Sequence, residues 1–279
     1  MHWLSLPPPA ISLGQAPDAA TLVSLRLWFD CWTLPPPVAW LALFQGLWIL
    51  NTDITRNVGH RTDAAPTISM IGTRAMLFEA PGAFTMAHQR RIWALMEAAQ
   101  ARPDVQELIP GVTNLMLVFS TPPEQPGHVA DWLRHAWETL PERHIKGRLF
   151  EIGVRYGGAL GEDLAAVAAH AGLPPQDVIS IHHGSEYTVC AIGSAPGFGY
   201  LHGLDPRIAT PRKAVPSLKM LAGTVTIGGM QAGISALTGP NGWNSIGYTE
   251  ICLFDPHREP PALFAIGDRI RFYPESIEL

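Results

Sequence analysis

The stretch LAGTVTIGGMQAGISALTGPNGWNSIGYTEICLF, residues 221–254, carries the clearest structural signal in the chain. Its short apolar segments are separated by glycine or proline at intervals of roughly ten residues, and none of them has a helical period. The same rhythm runs upstream to Tyr187, through TVCAIG, and downstream to Tyr273, through DRIRFY. Such spacing is typical of an all-β barrel or sandwich. We therefore predict an all-β arrangement for the C-terminal part of the chain.

Two short helices are predicted to precede these strands. The segment EDLAAVAAHAG ends at Gly172, and the segment PQDVISIHH is opened by Pro174 and Pro175. Glycine just past the last helical residue and proline at the first are the usual boundaries of helices. We place both helices in the C-terminal domain, which we bound at residues 157–279.

Residues 66–156 alternate between strand and helix patterns. They read as a strand with a turn at Gly72, the helix MAHQRRIWALMEAAQAR, two strands around a Pro110–Gly111 turn, the helix HVADWLRHAWETL and the strand RLFEIGVRY. The order β-α-β-β-α-β is the split βαβ pattern of ferredoxin-like domains. The predicted fold class is α+β, a small ferredoxin-like domain followed by an all-β barrel or sandwich.

Residues 1–65 form a separate extension rich in proline and tryptophan. Five of the nine tryptophans and two Pro-Pro-Pro runs lie in its first 50 residues. The apolar run 38–50 is too short to cross a bilayer, and it lacks the basic start of a signal peptide. We predict no membrane role and assign the extension no function.

Composition excludes several classes of protein. The net charge of −5 gives no indication of nucleic-acid binding. The three cysteines are far apart and form no C-x-x-C pair, which favours a reducing compartment, and hence the cytoplasm, over a disulfide framework. We predict no metal site, since there is no H-E-x-x-H and no spaced cluster of His and Asp.

The loop APGFGYLHGLDPRIATPRKAVPSLK, residues 195–219, combines glycine turns with a local excess of positive charge. Its glycines do not fit the dinucleotide motif, and no Walker loop occurs in the chain. Arginine binds carboxylates or phosphates through two parallel hydrogen bonds, and lysine adds a point charge. We predict an anion site built from Arg212, Lys213 and Lys219, with Gly197 allowing close backbone approach.

The segments VISIHHGSEYTV, APGFGYLHGLDPRIATPRK, LAGTVTIGGMQAGI, GPNGWNSIGYTEICLFDP and AIGDRIRFYP occur in this order between residues 178 and 274. In these segments the chain resembles the carboxyltransferase-domain family that contains the B-type subunit of 5-oxoprolinase, allophanate hydrolase subunit 1 and an inhibitor of a sporulation sensor kinase. Residues 67–156 resemble the family's smaller domain more loosely. The resemblance implies that the second domain is a cyclophilin-like β-barrel.

The resemblance also implies a function. This chain is expected to be a subunit of an ATP-dependent amidohydrolase that opens 5-oxo-L-proline to L-glutamate and is inactive alone. Its expected partners are a second carboxyltransferase-like subunit and a catalytic amidohydrolase subunit, with ATP and Mg²⁺ bound together with those partners. Two alternatives remain open: a carboxyltransferase subunit of the allophanate hydrolase or urea carboxylase type, and a non-enzymatic inhibitor of a histidine kinase.

Further candidate residues lie in the family-like segments. His182 and Tyr187 match the family's H-x-x-x-x-Y spacing, and histidine is a natural proton shuttle near neutral pH. The alternative interpretation is that one histidine caps the helix end while Tyr187 packs its ring into the barrel and forms a hydrogen bond through its hydroxyl. Gln231 is a candidate for orienting a substrate amide or carboxylate. Phe198 and Trp243 are predicted to be apolar walls of a pocket or, in the alternative interpretation, ordinary core residues.

The sequence departs from the family at several positions. The family usually has an aromatic residue at Ser194, a basic residue at Tyr248, proline at Glu250 and a Tyr-Pro pair at residues 235–236. Loss of a cation at Tyr248 would weaken anion binding if that position faced the pocket. The segment LKML around Lys219 has the wrong flanking pattern for biotin attachment, so no intrinsic biotin site is predicted.

Overall fold

The structure is a computed structural model that describes residues 65–279. The proline- and tryptophan-rich extension predicted for residues 1–65 therefore lies, except for its last residue, outside the described part. No helix among residues 65–279 is long and apolar enough to cross a membrane.

A small α/β domain comes first. Its elements are β1 (Thr67–Ile71), β2 (Ala75–Glu79), α1 (Met86–Ala99), β3 (Val105–Pro110), β4 (Asn114–Phe119) and α2 (Pro126–Thr139). The strands form an antiparallel sheet in the order β1-β2-β4-β3. Alternate side chains are buried along β2 and β4, and they pack with the apolar faces of α1 and α2 in one core.

The second domain, residues 149–279, is built around a closed barrel. Its elements are β5 (Leu149–Gly157), α3 (Leu164–Ala171), α4 (Pro175–Gly184), β6 (Glu186–Ile192), β7 (Gly199–His202), β8 (Ser217–Met220), β9 (Thr224–Gly228), β10 (Gln231–Ile234), β11 (Gly239–Asn241), β12 (Asn244–Tyr248) and β13 (Arg269–Glu278). The barrel order is β10-β7-β6-β13-β5-β12-β9, and β8 and β11 form a separate two-stranded ribbon. The α+β class with a barrel, and both short helices, are confirmed.

The order of elements in the small domain differs from the prediction. The first predicted strand is a hairpin of β1 and β2 that turns at Gly72, where φ is +62°. The last predicted strand, β5, pairs with β12 and β13 in the barrel and contributes Ile152, Val154 and Tyr156 to the barrel core. The small domain therefore runs β-β-α-β-β-α, and the first barrel strand begins at Leu149 instead of after residue 156.

A β-bulge at Cys190 joins the two domains. Between Val189 and Ala191 the pairing of β6 with β7 shifts by one residue. The Cys190 carbonyl instead accepts hydrogen bonds from two side chains of α1, Gln89 Nε2 at 3.1 Å and Trp93 Nε1 at 3.2 Å. Because a bulge leaves one residue without its strand partner, its carbonyl is free to bind a neighbouring element. The small domain is thereby anchored to the β6–β7 hairpin of the barrel.

Candidate functional site

The backbone of segment 210–213 is hydrogen-bonded to three residues that follow it in the second domain: Gly229, Gly242 and Asn244. Gly229 N donates to the Thr210 carbonyl at 2.7 Å, and Asn244 Nδ2 donates to the Pro211 carbonyl at 2.9 Å. Lys213 N donates to the Gly242 carbonyl at 2.7 Å. These bonds hold the backbone of the predicted anion loop, so its side chains project from a rigid base.

Three aromatic rings pack beside this segment. The Phe198 ring centroid lies 5.0 Å from that of Tyr200 and 5.6 Å from that of Trp243, each with edge-to-face geometry. Phe198 and Trp243 are nearly buried, with 7% and 5% of their surface exposed. This arrangement is favourable for aromatic quadrupoles and forms an apolar cluster, which we call the aromatic wall.

Two glycines make room for this wall. A Cβ atom at Gly228 would overlap the Trp243 indole, and one at Gly233 would lie 2.9 Å from the Phe198 ring. The absence of side chains at Gly228 and Gly233 therefore lets the two rings pack directly against the backbone of this segment. Gly197 has a different role in the turn before Phe198. Its φ is +76°, and a Cβ atom there would lie 2.7 Å from the Leu253 carbonyl oxygen, so the turn requires glycine.

Arg212 lies at the edge of the aromatic wall. The central carbon of its guanidinium is 5.7 Å from the Trp243 ring centroid, and the residue is exposed. This distance is that of a cation–π interaction, which orients the guanidinium plane. The structure thus brings together three of the predicted site residues, Arg212, Trp243 and Phe198.

The charge of Lys213 is neutralised by an ion pair with Asp163. Its Nζ atom lies 2.7 Å from Asp163 Oδ2 and 2.6 Å from Ser217 Oγ, and both charged side chains are only 16% exposed. Asp163 Oδ2 also accepts from the backbone N–H of Ser245 at 2.8 Å and from its hydroxyl at 3.1 Å. This ion pair holds the loop against the start of α3. Because Asp163 compensates its charge, Lys213 would attract an anion in the solvent only weakly.

Lys219 faces a different space. It lines a small open cavity of about 90 Å³ with Glu162, Ser217 and Ser245 among its polar neighbours. Gln231 stands at the start of β10, half-buried and opposite Gly228. The predicted set Arg212, Lys213 and Lys219 is therefore spread around the ribbon instead of converging on one point.

His182 and Tyr187 lie in the barrel core, and both are fully buried. His182 Nδ1 shares a hydrogen bond of 2.8 Å with the Tyr156 hydroxyl, and the Tyr187 hydroxyl donates to the His182 carbonyl at 2.9 Å. The His182 ring stacks on Phe272, with centroids 4.8 Å apart. This geometry agrees with the alternative interpretation of Tyr187 and places neither residue with Arg212.

Burial decides the protonation of this core cluster. Desolvation, with a smaller contribution from His183, lowers the pKa of His182 to about 3. Desolvation also raises the pKa of Tyr156 and of Tyr187. Nε2 of His182 has no hydrogen-bond partner among the described residues. The cluster is thus neutral and apolar in character.

The position where a basic residue was expected is occupied by a stacked pair. The Arg155 guanidinium carbon lies 5.3 Å from the Tyr248 ring centroid, and Arg155 Nη2 lies 3.0 Å from Glu250 Oε1. A cation is therefore present above Tyr248, but a carboxylate compensates it. Ser194 stands in a turn with φ of +62°.

Sequence reasoning missed three residues of the site: Asp163, Tyr200 and Asn244. Asp163 precedes Lys213 by 50 residues, and nothing in its local sequence indicates an ion pair. Asn244 binds the carbonyls of Pro211 and Ile227 at the same time. No group of three or more His, Cys, Asp or Glu side chains in residues 65–279 is placed to hold a metal ion.

A family of known proteins shares this sequence and fold. Residues 66–264 match the family described as carboxyltransferase domain, subdomain C and D. The chain belongs to this family. The match includes both domains and the whole candidate site, and it ends before β13.

Carboxyltransferase-domain relatives include two proteins named as the B-type subunit of 5-oxoprolinase. The protein from Escherichia coli O157:H7 is 41% identical over 207 residues, which are 74% of this chain and 95% of that protein. The protein from Haemophilus influenzae is 37% identical over 209 residues, which are 75% of this chain and 98% of that protein.

Two solved structures are similar to this chain in fold. The crystal structure of TTHA0988 is 34% identical with a TM-score of 0.62, and the match covers 73% of this chain but only 40% of that chain. The K. lactis urea amidolyase is 19% identical with a TM-score of 0.66, covering 76% of this chain and 15% of that one. The second likeness concerns the fold alone.

Proposed function

We propose that this chain is a subunit of an ATP-dependent 5-oxoprolinase that converts 5-oxo-L-proline to L-glutamate. The observation that carries the proposal is the 41% identity over 95% of the E. coli 5-oxoprolinase subunit. The likeness to urea amidolyase, at 19% identity, does not favour carboxyl transfer over lactam opening. Cysteine usage is consistent with a cytoplasmic location.

In this proposal the chain acts only with partners. Ring opening hydrolyses one lactam C–N bond with one water, and ATP hydrolysis consumes a second water to give ADP and phosphate. A lactam is a poor electrophile, so the complex must activate the carbonyl oxygen and stabilise developing negative charge. A second carboxyltransferase-like subunit and a catalytic amidohydrolase subunit supply the remaining machinery.

In this proposal the chain contributes the aromatic wall and one cation, Arg212, that contacts the substrate. Arg212, oriented over Trp243, is proposed to bind the substrate carboxylate, and the packed Phe198 and Trp243 rings to exclude water from that side. Gln231 is proposed to orient the amide. Lys219 is proposed to raise the local potential, whereas Lys213 acts as a clasp through Asp163.

ATP does not fit this chain alone. The described residues form no Walker loop, and the cation nearest the aromatic wall is a single arginine. We therefore propose that ATP and Mg²⁺ are bound with the partner subunits. His182 and Tyr187 have no contact with substrate in this proposal, since both are buried in the barrel core.

The test is ATP-dependent release of glutamate from 5-oxoproline by a mixture of this chain with the subunits encoded beside it. We expect activity in the full mixture and none when this chain is left out. Restoration with the homologous E. coli protein would check that the other subunits are competent. Full activity without this chain would refute the assignment, and inactivity with it but not with the E. coli protein would indicate a different amide substrate.

A further inference from the structure

The β-bulge at Cys190 lies immediately before the end of the β6–β7 hairpin that carries part of the aromatic wall. Val189 pairs with Leu201 before the bulge, and Ala191 pairs with Tyr200 after it. Regular pairing would instead place Cys190 opposite Tyr200 and shift every later pair by one residue. Because side chains alternate along a strand, a shift of one residue turns them to the other face of the sheet. The bulge therefore sets the register of the end of the hairpin.

Two of the three rings of the aromatic wall belong to this end of the hairpin. The Gly193 N–H donates to the Phe198 carbonyl at 3.0 Å, and the Phe198 N–H donates to the Ala195 carbonyl at 3.0 Å. The Tyr200 ring centroid lies 5.0 Å from that of Phe198 and 6.3 Å from that of Trp243. A change in the register of β6 and β7 would therefore displace Phe198 and Tyr200 relative to Trp243.

Two side chains of α1 stabilise the bulge. The Cys190 carbonyl accepts from Gln89 Nε2 at 3.1 Å and from Trp93 Nε1 at 3.2 Å. Both donor residues are buried in the small domain. Removing a partner from a buried carbonyl costs free energy, so these two bonds favour the pairing in which the Cys190 carbonyl points toward α1. The small domain thus contributes to the choice between the bulged and the regular register.

The amide of Gln89 is held in one orientation by the small domain. Its Oε1 atom accepts from the Thr113 N–H at 2.7 Å, and its Nε2 atom also donates to the Gly111 carbonyl at 3.1 Å. An amide nitrogen has two N–H groups, so Nε2 can serve the Gly111 and Cys190 carbonyls at once. Gln89 therefore connects the turn between β3 and β4 with the bulge. Trp93 contributes the single N–H of its indole.

Apolar contacts from the start of α1 reach the same hairpin. The Phe84 ring centroid lies 4.5 Å from that of His202, and Cys190 Sγ lies 3.8 Å from Met86 Sδ. His202 and Tyr200 are two residues apart on β7, so their side chains lie on the same face of that strand. The face of β7 that presents Tyr200 to the aromatic wall therefore also packs against the small domain.

We propose that Gln89 and Trp93 are positioning residues for substrate binding: through the Cys190 carbonyl they fix the register of the β6–β7 hairpin and thereby the placement of the aromatic wall. Neither side chain contacts the substrate. The inference rests on the proposed function, because it takes the aromatic wall to be the surface against which 5-oxoproline binds. It gives the small domain a role in the site, although the rings of the wall belong to the barrel domain.

The test uses fluorine NMR of the full chain labelled with 5-fluorotryptophan. The Trp243 resonance is assigned by its loss in Trp243→Phe, and it responds to the position of the neighbouring Phe198 and Tyr200 rings through their ring currents. Gln89→Met keeps the length of the side chain but removes both N–H donors, and Trp93→Phe keeps an aromatic ring but removes the indole N–H. We expect each variant to shift the Trp243 resonance by more than its linewidth in the wild type.

The matched control is Ile92→Val on the same helix. Ile92 is fully buried in the core of the small domain, and its side chain has no group that could donate to Cys190. The control should lower the thermal unfolding midpoint but leave the Trp243 resonance in place. An equal shift in the control would reduce the effect to general destabilisation and overturn the proposal. So would an unchanged resonance in folded Trp93→Phe, which decides the matter even if Gln89→Met does not fold.

Kinetics of the reconstituted complex separate this inference from the proposed function. Because the wall is taken to contact the substrate before and during reaction, we expect Gln89→Met and Trp93→Phe to raise KM for 5-oxoproline about tenfold and to keep kcat within about twofold. Ile92→Val should change neither. A shifted Trp243 resonance with normal KM would overturn the positioning role. A wild-type complex that releases no glutamate, while both variants shift the resonance, would refute oxoprolinase activity and leave control of the register supported.

Discussion

Lys213 Nζ and Asp163 Oδ2 form a 2.7 Å ion pair that ties the candidate loop to the start of α3. The pair is mostly buried, and Asp163 also holds Ser245 through two hydrogen bonds. A lysine that the sequence groups with Arg212 and Lys219 as the three cations of one predicted anion site thus has a structural partner. Of those three cations, Arg212 is the one that lies on the aromatic wall.

Removing one partner of this pair should destabilise the protein. We expect Asp163→Ala to lower the free energy of unfolding by about 2 kcal/mol, since it leaves Lys213 partly buried without its counter-charge. Asp163→Ala combined with Lys213→Met should cost less than the sum of the two single changes. Urea denaturation of the isolated chain measures both. Arg207→Met, which breaks the exposed pair with Asp205, serves as control and should leave the free energy of unfolding nearly unchanged.

Arg212→Met should impair turnover without impairing folding. Loss of a charged hydrogen bond to the substrate carboxylate corresponds to about a 10- to 100-fold lower kcat/KM of the reconstituted complex. The change should appear mainly in KM if the contact is equally strong in the ground state and the transition state. Arg134→Met on α2, whose partner is Asp131, is the matched control and should leave kinetics unchanged. Normal kinetics for the Arg212 variant would exclude it from the site.

Gly228→Ala should disturb the aromatic wall. The added methyl group overlaps the Trp243 indole, and overpacking of this kind costs about 1–3 kcal/mol. We expect a lower unfolding midpoint and a change in the near-ultraviolet circular dichroism that arises from the packed rings. Gly127→Ala, where nothing lies within 4 Å of the new methyl group, should be neutral or slightly stabilising. Equal behaviour of the two variants would contradict the packing argument.

Stability should fall on acidification because His182 is buried in its neutral form. Its pKa is about 3 in the folded chain and about 6.5 unfolded, so the unfolded state binds the proton more tightly. The stabilisation is fully present above pH 6.5 and is lost as the pH falls from 6.5 toward 3, by about 1.4 kcal/mol per pH unit. Denaturation curves at several pH values measure this slope. Tyr156→Phe, which removes the hydrogen bond to His182, should destabilise the chain at every pH.

Local patterns were sufficient for much of the fold. The apolar spacing of α1 and α2, the proline that opens α4 and the glycine that follows α3 all depend on neighbours within a few residues. The closely spaced strands from β6 to β12 were likewise recognisable as an all-β barrel or sandwich, because glycine and proline interrupt them regularly. Phe198, Trp243 and Arg212 were named as candidate residues from the sequence, and the structure places their side chains next to one another.

The tertiary structure decided which strand joins which sheet and which charges meet. β5 reads as a strand in either domain, and only its pairing with β12 and β13 assigns it to the barrel. Asp163 and Lys213 are 50 residues apart, so their contact is a product of barrel closure. The sequence by itself determined the local conformations and the family, because those depend on short-range patterns. Burial of His182 and Tyr187, neutralisation of Lys213 and exposure of the ribbon depend on long-range packing.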